Sequence, residues 1–370
     1  MTKLHEPDFI ERNPETITKE WIELYEKKSG KVLQPAQIER LMIDVGAYRE
    51  TVLRMNIQET AKKNLLSYAP LDVLKHIGEP LGVQQLFANN SVTTLKFAVD
   101  NALDFDFRIP KGTEVETKDG LFIFQTDEDV ILKSGEFETS ISATCETAGA
   151  ASNYYITGSI NNLISPISYV STVENTTISS GGADDEEADA LRERIRQAPE
   201  KFSNAGSKGA YRYHTLSAHQ SIIDVAILSP SPGVVNIYPL TTDGNPTDEI
   251  LKIVLKYLND DKIKPLTDYV QVLSPDKKDF RIKAEIYLYK DADAASVNTT
   301  INAKLGEYKA QLSQKLGKSV VRTQIITILN SIYGVFKVNL ITPSEDIEMQ
   351  EFQWANFLGF DITVGGYANE

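Results

Sequence analysis

The densest run of chemically capable side chains is Gly181–Pro199, GGADDEEADALRERIRQAP, where Asp184, Asp185, Glu186 and Glu187 precede Arg192, Arg194 and Arg196. Clustered carboxylates could form a glycosidase acid–base pair or hold a hard cation. A catalytic pair needs one carboxyl in apolar surroundings, where its pKa rises. Asp184 and Glu186 stand among glycines and other acids instead. A helix start accounts for the same residues. Asp184 as N-cap with Glu187 three positions on is an Asp-x-x-Glu variant of the capping box. The acids then crowd the end where the helix dipole presents positive charge, and the arginines the opposite end. Ala188, Leu191, Ile195 and Ala198 recur at helical spacing, and Pro199 cannot continue the ladder. The expectation is a docked amphipathic helix packed by Leu191 and Ile195, its acids solvated.

Other chemistry is harder to build. The four histidines are His5, His76, His214 and His219, and the last two are five apart. A shared helical face needs three or four. Cys145 is the only cysteine, so neither a thiolate zinc site nor an intrachain disulfide can form. LGKS at Leu316–Ser319 has the ending of a phosphate loop, but Leu312 stands where that loop needs glycine. DNALDFDF, Asp100–Phe107, lacks the glycine and terminal glutamate of a calcium loop and reads as a strand edge kept soluble by acids. GSKGAYRYHTLSAH offers Lys208, Tyr211, Arg212 and Tyr213 to an anion, or else a plain helix capped by Ser207. The reading is no catalytic residue, no cofactor and no metal.

Composition narrows the class. The chain has 370 residues, 41% hydrophobic, and a net charge of −14. Such an acidic balance opposes nucleic-acid binding, which needs a basic face. No apolar run is long enough to span a bilayer, and the first residues carry no signal-type stretch. A single cysteine suits a reducing cytoplasm.

The elements that would position these residues fall into parts expected at 1–90, 91–178, 179–275 and 276–370. The first reads as helical. ETITKEWIELYEKKSG puts Ile17, Trp21 and Leu24 on one face and stops at Gly30. From Pro35 to about Ser67, Ile38, Leu41, Val45, Tyr48, Val52 and Met55 alternate at spacings of three and four, a seam of about two and a half heptads. Either the Trp21 helix packs back over this segment or a bundle shared between subunits covers it. The second part reads as short strands, TTLKFAV and GLFIFQT among them, between turns such as IPKGT and KDG, giving a small sandwich or partly open barrel. Gly181–Gly182 reads as a hinge after it. The remainder alternates strands and helices: SIIDVAILS, GVVNIYPL, a helix capped by Thr247, then FRIKAEIYLY, whose Phe280, Ile282, Ala284, Ile286 and Leu288 alternate as a half-buried strand should. The fold class expected is multidomain α+β, with two C-terminal units of helices on mostly antiparallel sheets.

Several of these segments, in this order, resemble the baseplate J family. GGADDEEADALRERIRQAP is followed by GSKGAYRYHTLSA and IIDVAIL; upstream stand IPKGTEVET with FIFQT, AGAASNYYITGSINNL, ISYVSTVEN and NLLSYAPLDVLKHIGEPLGV. The resemblance covers about residues 60 to 240; the last hundred agree only in pattern. Many members carry arginine after the valine of PLGV, where this chain has Gln84, so no contact of such an arginine carries over. The family comprises wedge components of contractile phage tails and related injection particles. The resemblance implies two copies per wedge bundled with one I-type tail protein, six wedges around hub and spike, contacts with hub and sheath-adjacent proteins, and a virion baseplate assembled in the host cytoplasm. It implies no enzyme, no nucleic-acid partner and no membrane insertion. Its motif helix would comprise Gly181, Gly182, Asp184, Glu187, Leu191, Arg192, Ile195 and Pro199. A cell-wall hydrolase using a carboxylate pair and a glycan-binding tail module are the rival classes.

Overall fold

A computed structural model describes residues 5–202, 206–260, 263–265 and 267–368. The outer ends of the first and last expected parts, 1–4 and 369–370, lie outside the described residues. The chain divides into two compact units, 1–84 with 187–196, and 85–186 with 197–370.

The first unit is helical. α1 (Pro14–Ser29) begins with the Asn13 side chain accepting from Glu15 N and ends at Gly30, whose φ of 70° is a left-handed cap. α2 (Ile38–Lys63) lies beside it, followed by α3 (Leu71–Gly78). Gly46 is where α1 meets α2: a methyl there would lie 2.8 Å from the Trp21 ring. Trp21 Nε1 donates to Glu50, and Arg54 pairs with Glu50 at 2.5 Å and Glu20 at 3.3 Å. Of the face expected on α1, Ile17 is fully buried while Leu24 is exposed. α2 buries Ile43, Ala47, Thr51 and Gln58. Gln58 donates to Pro7 O at 2.7 Å and accepts from Phe9 N at 2.9 Å, tying the N-terminal segment down. The last element of the unit is α4 (Ala188–Gln197).

The second unit opens with β1 (Asn90–Ala98), β2 (Phe107–Ile109), β3 (Glu114–Thr117), β4 (Ile123–Thr126), β5 (Val130–Leu132), β6 (Glu138–Ala148), β7 (Ile160–Leu163) and β8 (Thr172–Asn175). Six of them form an antiparallel sheet in the order β7-β3-β4-β6-β1-β8, with β2 and β5 a separate ribbon. β1 alternates buried and half-buried residues, so its inward side chains meet Phe124, Cys145 and Ile160 in one core. Asn175 stitches the open ends: its Oδ1 accepts from Ile160 N and its carbonyl from Gly158 N, both at 2.9 Å. The barrel is thereby nearly closed, which leaves little free edge. Of DNALDFDF only Phe107 is strand; the rest is loop, where Asp106 accepts from Ser134 N.

Next come α5 (Lys208–Ala218), β9 (Ile222–Ser231), β10 (Val234–Thr241), α6 (Asp248–Leu258) and β11 (Tyr269–Val272). Ser207 caps α5 and Thr247 caps α6, as their types suggest. The GSKGAYRYHTLSAH residues are spent on structure: Arg212 bonds Asp224 and Val225 O, and Tyr211 donates to Asp268. The last part has β12 (Asp276–Tyr289), α7 (Ala294–Ser313), α8 (Arg322–Asn330), β13 (Val335–Thr342) and β14 (Gln353–Ala368). Phe280, Ile282, Ala284, Ile286 and Leu288 of β12 join α7 and α8 in one core. The sheets run β11-β10-β9 and β13-β12-β14. In each, the central strand has one antiparallel and one parallel neighbour, so these sheets are mixed.

Candidate interface and motif helix

The uncovered side of α2 is the seam. α1 packs on the Ile43, Ala47 and Thr51 side, while Ile38 is 76%, Leu41 66%, Val45 57% and Tyr48 68% exposed. Val52 and Met55 are exposed as well, and Met42, Leu53 and Ile57 widen the apolar surface. Of the two arrangements left open by the sequence, α1 packing back on α2 is present, and it leaves the seam face open. Single exposed apolar residues are ordinary; here nine stand exposed along one 26-residue helix. Beside it a groove of about 840 Å³ is lined by Ile10, Trp21, Arg49, Leu53 and Ile57.

The acidic motif is built differently from its sequence reading. The helix starts at Ala188, so Gly181, Gly182 and Asp184 lie outside it, and the Glu187 carbonyl accepts the first helical bond from Leu191 N. Asp184 caps nothing: its Oδ1 accepts from Ala150 N at 3.0 Å. Asp185 accepts from Ala88 N at 2.8 Å and Glu186 from Leu86 N at 3.0 Å. Glu186 is buried, not solvated. Backbone N–H groups of the 86–88 segment and of the Gly149–Ala150 turn outcompete the helix's own, because each carboxylate reaches them from an extended linker. The α-helix ends at Gln197, two residues before Pro199, and a 3₁₀ segment, Ala198–Phe202, follows, its proline needing no donor in the second position.

Of the apolar stripe expected at Ala188, Leu191, Ile195 and Ala198, the first is half-buried and the other three are inward. Leu191, Ile195 and Ala198 are buried, and Ile195 lies against Gly78, where a methyl would come within 3.2 Å of it. Arg192 donates to the carbonyls of Leu66 and Ala69 at 2.9 and 2.8 Å, and pairs with the exposed Asp189. Arg194, which sequence reasoning assigned only to the dipole, is buried and donates to Gln84 O. Its position three after Leu191 and one before Ile195 places it on the stripe, and that is the signal that could have found it. Gln84 contributes a backbone oxygen here, so its side-chain identity is immaterial to this bond.

Gly181–Gly182 is a clamp, not a hinge. Both residues are buried. Gly182 exchanges two bonds with the Asn153 side chain, N to Oδ1 at 2.9 Å and O from Nδ2 at 2.8 Å. A Cβ at 182 would overlap Gly149 O. Gly182→Ala is therefore expected to destabilise the chain by about 1–3 kcal/mol, measured by denaturant unfolding.

His219 closes the same junction. Its Nε2 donates to Gly181 O at 3.1 Å, while Nδ1 accepts from Ser221 N at 3.2 Å. Burial pushes its pKa below the ordinary 6.5, the Gly181 carbonyl opposing. The unfolded chain binds the proton more readily than the folded one, so this contribution is complete above about pH 6.5 and is lost as pH falls through the depressed folded value. The melting temperature of His219→Gln should depend less on pH between about 8 and 5 than that of the wild type.

Among the described residues no group of three or more His, Cys, Asp or Glu side chains is placed to hold a metal ion. Nor is any described helix long and apolar enough to cross a membrane.

Four successive segments match one family: residues 40–91 match its "Baseplate J-like N-terminal domain", 94–182 its "barrel domain", 203–274 its "central domain" and 280–363 its "C-terminal domain". The chain belongs to the baseplate J-like family. The last match extends the family to the hundred residues that agreed only in pattern, and the barrel named for residues 94–182 is the nearly closed sheet above. α4 falls between the barrel and central matches and packs with the N-terminal helices rather than with the 179–275 part to which it was assigned. The chain is similar to "Baseplate protein J" of Escherichia phage P2, 31% identical over 199 residues, which is 53% of this chain and 65% of that protein. The match thus spans just under two thirds of the relative's length. Among solved structures it is similar to one in the anti-feeding prophage (AFP) baseplate, at TM-score 0.42 and 12% identity over 93% of this chain and 90% of that one.

Proposed function

We propose that this chain is a non-enzymatic structural subunit of a contractile-tail baseplate, and that the exposed seam of α2 is where it joins the wedge. The observation that carries the reading is the uncovered apolar face in a chain whose four parts match the baseplate J-like family in order. Supporting it is a similar protein named for the baseplate of phage P2. In this reading Ile38, Leu41, Val45, Tyr48, Val52 and Met55 meet the helices of a second copy and of one I-type tail protein. A parallel or antiparallel bundle is the usual solution for a helix with apolar residues at spacings of three and four on an open face. The remaining parts reach other wedge, hub and sheath-adjacent proteins, join wedges into a ring, and couple its rearrangement to sheath contraction. The chain is made and assembled in the host cytoplasm and ends in the virion baseplate. The division at 1–90, 91–178, 179–275 and 276–370 is the corresponding plan, with α4 serving the first part.

Co-expression with the I-type protein of the same particle tests this. A stable complex of two copies with one, by light scattering on the purified species, is the expected result. Two proteins that elute separately at micromolar concentration would sink the bundle.

A further inference from the structure

One short turn touches two neighbouring modules at once. Thr241–Thr247 connects β10 to α6 in the central part. Its Asp243 accepts from Tyr154 Oη of the barrel at 2.5 Å. Two residues on, Asn245 Oδ1 accepts from Trp354 Nε1 of the C-terminal part at 2.6 Å. Gly244 lies between them at a φ of 101°, a conformation that favours glycine, and the Trp354 ring sits against it, 2.7 Å from where a Cβ would be.

The turn is stiff. Thr241 and Gly244 exchange backbone bonds at 2.9 and 3.0 Å, Thr241 Oγ1 adds another to Gly244 O, and Thr242 N is held by Ser221 O. Both external anchors are themselves fixed. Tyr154 adopts a left-handed φ of 66° and its N–H bonds Ser179 O at 2.8 Å; Trp354 is buried. The reciprocal bonds enclose Asp243, and Asn245 follows directly on the bonded Gly244, so a single peptide link separates it from the ring.

We infer that the Thr241–Thr247 turn is a mechanical coupler, through which a displacement of the C-terminal part is passed to the barrel. The inference does not depend on which particle the chain enters. It rests on two contacts, to Tyr154 and to Trp354, carried by one short element, so that a shift at one strains the other.

Amide hydrogen exchange on the full chain tests it, with Asn245→Ala and Tyr154→Phe. Both altered side chains are exposed enough that the variants should fold. Loss of one such hydrogen bond is expected to speed exchange about fivefold where the structure loosens. In Asn245→Ala the faster exchange should reach the Tyr154 and Ser179 amides of the barrel as well as the turn. In Tyr154→Phe it should reach the amides around Trp354. The double variant should loosen the turn by less than the product of the two single effects. Exchange changes that stop at the turn in each single variant, with the double variant equal to the product, would overturn the coupling. A Gly244→Ala variant that folded with wild-type exchange on both sides would overturn the stiff turn on which it rests.

Discussion

Val45→Glu combined with Val52→Glu is expected to abolish incorporation into baseplates while leaving the isolated chain folded. Val45 is 57% and Val52 38% exposed, one on each side of Tyr48 along the open face of α2. In the free chain a carboxylate at either place stays in water, and substitutions of that kind usually change stability by within about 0.5 kcal/mol. In a helical bundle the same positions become knobs against a partner, and two copies bring four unpaired carboxylates into one apolar seam. Burying one uncompensated charge costs several kcal/mol even after relaxation. The sum exceeds what a bundle of this length can absorb. The assay has two halves, a thermal melt of the purified chain and its presence in sedimented particles. A melt within about 2 °C of the wild type with no particle incorporation is the expected pair. Normal incorporation would place the partner elsewhere, and a collapsed melt would mean that the seam already supports the fold of the single chain.

Leu191→Ala is expected to be the most damaging single change in the acidic motif. Leu191 is fully buried in the first unit, beside Ile195, which rests on Gly78. Truncating a buried leucine removes transfer free energy and leaves a void, together about 2–5 kcal/mol. Asp189→Asn makes the control, since its side chain is 93% exposed and pairs only across one helical turn. That pair is worth well under about 1 kcal/mol. Denaturant midpoints at constant slope should therefore fall sharply for the leucine and barely for the aspartate. The reverse order would restore the acids, rather than the stripe, as the reason for the motif.

Periodicity is a local property and was legible: the Phe280–Leu288 alternation and the Leu191–Ile195 stripe are where their spacing puts them. Caps that depend on the next few residues were legible too, at Gly30, Ser207 and Thr247. What misled was any side chain whose partner lies far along the chain. Asp184, Asp185 and Glu186 have the composition of a helix start, yet their acceptors are taken by N–H groups some 34 to 100 residues away. A glycine pair reads the same whether it bends freely or is clamped. Only the Asn153 amide and the Gly149 carbonyl decide that for Gly182. Which neighbour runs parallel is likewise set by the β10–β11 and β12–β14 crossovers and not by strand composition.

On the proposed reading the chain works inside a large particle. Sedimenting a lysate of producing cells and following this chain by peptide mass spectrometry tests it most directly. The chain is expected to pellet with sheath and spike proteins. Recovery solely as a free chain of 41.2 kDa would contradict it.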